Sequence, residues 1–238
     1  MAPVASSTVN ARLARWAALH AGLLLACTAA ALAWSALWPV VIAGTASFGG
    51  LIGAFRRHWT PTGAFGAANT LTAGRLAGLL ALALLPVPAL WIAGGAAALL
   101  LLDGCDGWLA RQFGHTSDFG AFFDKEVDAF TLLVLCLLAV QHQGIAPLLV
   151  TAGLLRYVFA VLMHLGNPPA RTEPRTNAAR YLYVFMMGAI LLPFLPFPSW
   201  TATILWVAVG GLVASFLPYF AWALRLPQRL AGLRRALS

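Results

Sequence analysis

Charge is what this chain has least of. Only seven of its 238 residues are acidic, fifteen are Lys or Arg, and 61% are hydrophobic. Mean hydropathy is +0.83. A soluble domain of this length cannot cover so much apolar surface with so few charged groups. Cysteine is also scarce: Cys27, Cys105 and Cys136 stand far apart in apolar surroundings. They give no disulfide framework and no thiolate metal motif, and read as small apolar fillers. No segment alternates apolar and polar residues over strand lengths, which excludes a transmembrane β-barrel. No internal repeat, soluble domain or low-complexity linker interrupts the chain. A formal charge of +8 would suggest nucleic acid in a soluble protein. Here it reads instead as loop charge that sets topology and touches anionic lipid, with no nucleic-acid partner.

What remains is a series of apolar runs, several longer than the roughly 20 residues needed to cross a bilayer. The sequence predicts an all-α, polytopic bundle with eight spans, at about 16–35, 38–55, 74–92, 93–112, 121–140, 145–165, 180–196 and 201–223. The stretch "PVPALWIAGG" blurs the third and fourth of these, and its turn is expected at Pro86 to Pro88. The cations test the count. Arg12 and Arg15, Arg56 and Arg57, Arg75, Arg111 and Lys125, Arg171, Arg175 and Arg180, and the four arginines after position 224 all fall on one side. The links on the other side, "WPV", "PVP", "QHQG" and "PFPSW", hold no Lys or Arg. This is the positive-inside pattern. It predicts a multi-pass protein of the cytoplasmic (inner) membrane with both termini cytosolic. The first run also has features of a cleaved signal sequence, but it is long for one, and its removal would invert the second span.

The acids are not spread evenly. Six of the seven lie in "DGCDGWLARQFGHTSDFGAFFDKEVD", Asp103 to Asp128. Asp103 and Asp106 are three apart at the end of the fourth span; Asp124 and Asp128 are four apart at the start of the fifth. Residues three and four apart share a helical face. The short connection makes the two helices antiparallel neighbours, so four carboxylates converge near the cytosolic surface. One Asp at mid-membrane is disfavoured by about 2.5–3.5 kcal/mol, and four would also repel each other. Divalent cations relieve both costs. An all-oxygen set favours Mg²⁺, Mn²⁺ or Ca²⁺ over zinc, and four carboxylates suffice for the two-metal arrangement of phosphoryl chemistry. The nearby cations counted for neutralising them are Arg111 and Lys125.

The pattern Asp103-x2-Asp106-Gly107-x2-Ala110-Arg111-x8-Gly120-x3-Asp124-x3-Asp128 resembles, position for position, the signature of the CDP-alcohol phosphotransferase (CDP-alcohol phosphatidyltransferase) family. A second stretch, "NTLTAGR" from Asn69 to Arg75, resembles the one that opens the first core helix in many members. Its Asn69, Thr70 and Thr72 offer donors at a helix start, where backbone N–H groups already favour phosphate. The resemblance covers roughly residues 66–225. It implies a six-helix core at 61–238, preceded by an amino-terminal segment and hairpin at 1–60. It implies transfer of a phosphatidyl group from CDP-diacylglycerol to an alcohol acceptor, with release of CMP. It implies two divalent cations, Mg²⁺ or Mn²⁺, held by Asp103, Asp106, Asp124 and Asp128, with Asp128 also the general base on the acceptor hydroxyl. It places Asn69, Thr72, Gly107, Arg111 and Ser117 at the donor. Members are often homodimers, and small residues on several spans permit such contact.

Other polar residues read as follows. Arg156 is the one cation well inside a span; such a residue usually faces a polar interior, and it is expected to meet an acceptor phosphate or the acidic site. Arg171, Arg175 and Arg180 are ordinary inside charges that also suit an acidic acceptor, such as glycerol 3-phosphate or an inositol phosphate. The basic Gly-Lys-type motif of members that use those acceptors is replaced here by "RTNAARYLY". Glu126, two residues after Asp124, is expected to face solvent or lipid headgroups. Asp118 reads as a loop residue that caps a helix or does nothing, His115 as a surface-loop residue, and Lys125 as a snorkelling cation. His20, His58, His142 and His164 form no metal pattern. The rival from another class is a divalent-cation transporter or channel. Its site would lie near the midplane with polar routes to both surfaces, whereas these acids sit on one side.

Overall fold

Proline and glycine set the breaks between helices. The computed structural model describes residues 4–112, 117–166, 177–196 and 200–224. Eight α-helices run through them: α1 (Val4–Ala33), α2 (Trp38–Ala54), α3 (Ala67–Leu84), α4 (Ala89–Gln112), α5 (Asp118–Gln143), α6 (Val150–Leu165), α7 (Asn177–Ala189) and α8 (Trp200–Ala223). No strand occurs among the described residues. Pro39 occupies the first turn of α2, where its missing N–H is no loss. Pro86 and Pro88 separate α3 from α4, as expected. Gly144 closes α5 in the left-handed conformation at φ 63°, which a residue with a Cβ adopts only with strain. A 3₁₀ turn at Pro147–Leu149 then opens α6.

The third helix begins earlier than its apolar run. It starts at Ala67, and its first turns carry Asn69 and Thr72, both buried. Four segments, Val9–Ala33, Ala67–Leu84, Pro147–Leu165 and Trp200–Ala223, are long and apolar enough to cross a membrane. Trp38–Ala54, Ala89–Asp103 and Ala179–Phe194 are apolar but shorter. The outer surface is lipid-like, with Leu19, Ile42, Leu101, Val184, Val207 and Leu217 exposed. Trp34, Trp38, Trp91 and Trp200 are exposed near the connections that lack Lys and Arg, as in an interfacial aromatic belt. The chain is a helical membrane bundle.

α5 is the axis of that bundle. From Ala129 to Ala139 every residue is buried. A helix apolar on all faces belongs in an interior, and here α3, α6, α1 and the 3₁₀ turn at Leu192–Phe194 surround it. Two glycines permit the closest approaches. A Cβ at Gly153 of α6 would lie 2.7 Å from the Leu133 backbone, and one at Gly44 of α2 would fall inside the Phe130 ring contact at 2.4 Å. The amino-terminal hairpin is knitted to α5 and α6 by aromatic rings. Trp16 stacks on His20 at 4.4 Å, His20 meets Phe48 and Tyr157 edge-on, and Phe48 meets Phe130. His20 is buried and bonds through Nδ1 to the Ser47 hydroxyl at 2.8 Å. Cys136 is buried and Cys27 half-buried, both as free thiols.

Candidate active site

The carboxylate end of the bundle is built on one backbone carbonyl. Ser117 caps α5, its Oγ accepting from the Gly120 N–H at 2.9 Å, the usual way an N-terminal donor is satisfied. The same hydroxyl donates to the Trp59 carbonyl at 2.6 Å. Asn69 Nδ2 donates to that carbonyl at 3.2 Å and to the Phe65 carbonyl at 2.7 Å. The start of α3 and the start of α5 are thereby fixed to one loop. Gly120 is the meeting point: a Cβ there would lie 2.8 Å from Asn69 Oδ1 and 3.1 Å from Ser117 Oγ. Thr72 Oγ1 donates back to the Ala68 carbonyl at 3.1 Å.

With the two helix starts clamped, their next turns face each other. Asp124 and Asp128 lie one and two turns beyond Gly120 on α5, and Asp103 comes from α4. Arg75 of α3 reaches all three. Its Nη1 lies 2.5 Å from Asp103 Oδ1 and 2.9 Å from Asp124 Oδ1, and its Nη2 lies 2.6 Å from Asp128 Oδ1. The arginine side chain is 2% exposed, the three carboxylates 38%, 37% and 23%. Tyr183 of α7 donates to the Asp128 backbone carbonyl at 3.0 Å and ties α7 to α5 beside the carboxylates.

Arg75 corrects the count of local cations, which named only Arg111 and Lys125. Part of the carboxylate charge is offset by the protein itself. The pairing spans 49 and 53 residues in sequence, so spacing alone could not show it. The available signal was an arginine closing the "NTLTAGR" match at the head of an apolar helix. Among the described residues, formal charge still leaves three carboxylates against the one guanidinium that bridges them. One oxygen from each of Asp103, Asp124 and Asp128 lies within 4.8 Å of the others. An all-oxygen set with residual negative charge fits Mg²⁺ or Mn²⁺.

Glu126 requires a second correction. It faces neither solvent nor lipid headgroups. It is 1% exposed and forms an ion pair with Arg156, Oε1 to Nη2. The spacing rightly turned it away from Asp124 and Asp128, but α6 lies on that side. Arg156 is thus paired with an acid of the same stretch that lies outside the Asp103, Asp124 and Asp128 cluster. It also lines a cavity of about 300 Å³ among α5–α8, together with Asp128, Lys125, Arg180, Tyr183 and Tyr219. Asp118 is exposed at the first position of α5, and Ser117 rather than Asp118 is the cap. Asp106, Gly107 and Arg111 fall on the last turns of α4, and their side chains lie outside the described residues. Arg171, Arg175 and His115 also lie outside them.

A family model for CDP-alcohol phosphatidyltransferase matches residues 65–224. The chain belongs to this family. No curated protein and no solved structure matches it. Membership makes the protein a membrane transferase of phosphate-containing groups in phospholipid synthesis. The matched region of this CDP-alcohol phosphatidyltransferase opens just before α3 and closes at the end of α8, so α1 and α2 lie outside it. All three converging carboxylates and Arg75 lie within it.

Proposed function

We propose that the protein transfers the phosphatidyl group of CDP-diacylglycerol to an alcohol acceptor and releases CMP, at a site on the cytosolic side of the cytoplasmic membrane. The observation that carries this reading is the convergence of Asp103, Asp124 and Asp128 within 4.8 Å, beside a cavity that reaches Asp128. Those three residues, with Asp106, would hold two divalent cations. Bound there, such cations would supply positive charge to offset the donor pyrophosphate and the departing phosphate. Asn69, Thr72 and Ser117 serve the donor side by fixing the first turns of α3 and α5, and Gly107 and Arg111 complete that side on α4.

Asp128 stands where the carboxylate cluster meets the cavity. It takes the proton of the acceptor hydroxyl. The acceptor oxygen then bonds to the phosphorus that carries diacylglycerol, and the bond from that phosphorus to the CMP oxygen breaks. A positioned base of this kind contributes about 10²–10⁴-fold. Lys125, Arg156 and Arg180 give the cavity donors suited to an anionic group, and Arg–phosphate contacts are charge-assisted. This favours a phosphorylated acceptor such as glycerol 3-phosphate or an inositol phosphate. The test is CMP release by the purified protein from CDP-diacylglycerol across a panel of acceptors. Turnover with phosphorylated alcohols and not with serine or free inositol supports the acceptor assignment. Turnover only with the uncharged or zwitterionic set refutes it, and no CMP release with any acceptor refutes the transferase reading.

A further inference from the structure

Arg156 has two directions open to it. On one side it lines the cavity that holds Asp128. On the other it lines a second cavity of about 610 Å³ between α1, α5 and α6, with Asn10, Ala14, Lys125 and His164 also on its wall. The backbone beneath it is fixed, because Gly153, one turn earlier on α6, lies against the Leu133 backbone. The side chain is not fixed by packing alone, since it is 23% exposed. Its anchor is the buried Glu126, joined to Nη2. Nε is buried without a partner. The ring of Tyr157, wholly buried, and the His20–Trp16 stack behind it close the rear of this region.

We infer that Glu126 is a positioning residue for acceptor recognition. It holds the Arg156 guanidinium in the partition between the two cavities, so that the donors not spent on Glu126 serve the Asp128 cavity. A planar guanidinium has five N–H donors in a fixed fork, so anchoring one edge sets the direction of the others. Glu126 also supplies the counter-charge that lets an arginine stay at this depth, since a buried charge without a partner is costly. It touches neither donor nor acceptor. The inference rests on the proposed assignment of Arg156 to an anionic acceptor.

The experiment is a double-mutant cycle in detergent-purified full-length protein, with CDP-diacylglycerol as donor and glycerol 3-phosphate as acceptor, read as KM for each substrate. Arg156→Gln is expected to raise the acceptor KM roughly 10- to 100-fold, the loss of a charge-assisted contact. Glu126→Gln is expected to raise it roughly five- to tenfold with the donor KM unchanged, and Glu126→Asp to recover part of that loss. The double variant Glu126→Gln/Arg156→Gln should match Arg156→Gln alone, because residues acting through one another are not additive. Where Glu126→Gln folds poorly, Glu126→Asp, which keeps the charge but shortens its reach, is read in its place, alone and combined with Arg156→Gln. If Arg156→Gln raises the acceptor KM but Glu126→Gln does not, or if the two effects multiply, the positioning role of Glu126 is wrong while the acceptor assignment stands. If Arg156→Gln leaves the acceptor KM unchanged, or neither glycerol 3-phosphate nor an inositol phosphate gives turnover, the assignment fails and the inference falls with it.

Discussion

Replacing Arg75 by Gln should make the stability of the protein depend on divalent cations. Arg75 is buried and within 2.9 Å of three carboxylates. Without it, carboxylate oxygens no more than 4.8 Å apart face each other unshielded. At an effective dielectric of 20, two unit charges at that distance repel by about 3.5 kcal/mol. Asp103 and Asp124 are each more than a third exposed, so solvent screens part of this. Removing one partner from a buried charge network typically costs about 3–5 kcal/mol. At about 2–4 °C per kcal/mol for a chain of this size, the midpoint should fall on the order of 10 °C. The assay is thermal unfolding in detergent, with chelator and then with millimolar Mn²⁺. Mn²⁺ should raise the midpoint of Arg75→Gln by more than it raises the wild type, where a guanidinium already offsets part of the charge. A variant that melts with the wild type in chelator, or gains no more from Mn²⁺, would refute the reasoning.

Asp103→Asn and Asp124→Asn should each abolish CMP release while the protein still inserts in the membrane, checked by activity and membrane fractionation. Asp128→Asn should lower kcat by roughly 10²–10⁴-fold with donor affinity nearly retained; an equal loss of donor affinity would make Asp128 chiefly a metal ligand. Gly153→Ala should lower the unfolding midpoint, at a cost of about 1–3 kcal/mol, because its Cβ would meet the Leu133 backbone at 2.7 Å. An unchanged midpoint would show that α5 and α6 can separate freely.

The parts of this fold legible in the sequence are those governed by local spacing. The i, i+4 relation of Asp124 and Asp128 and the short link back to Asp103 were enough to bring three carboxylates together. The prolines at 86 and 88 were enough to end α3 and begin α4. Hydropathy misplaced the start of α3, because it finds apolar runs and the first turns of that helix carry buried Asn69 and Thr72. What spacing cannot give is the neighbour on the far side. Arg75 meets Asp124 across 49 residues, and Glu126 meets Arg156 across 30. Glu126 was expected outside because it points away from the site, yet α6 covers that side of α5 and pairs it with Arg156. The hairpin α1–α2 read as an addition, and lies outside the family match. It is nonetheless packed through Trp16, His20 and Phe48 against the helices that carry Glu126 and Arg156.

Catalysis as proposed requires the carboxylate cluster to be a divalent-metal site for a CDP-linked donor. The most direct measurement is anomalous diffraction at the manganese edge from crystals of the full-length protein grown with Mn²⁺ and CDP. Anomalous peaks are expected within ligand distance of Asp103, Asp124 and Asp128, with the CDP phosphates beside them and the Arg75 guanidinium drawn off the carboxylates it now bridges. Arg75 still bridging all three, with no manganese among them and CDP absent or bound elsewhere, would contradict the metal-site assignment.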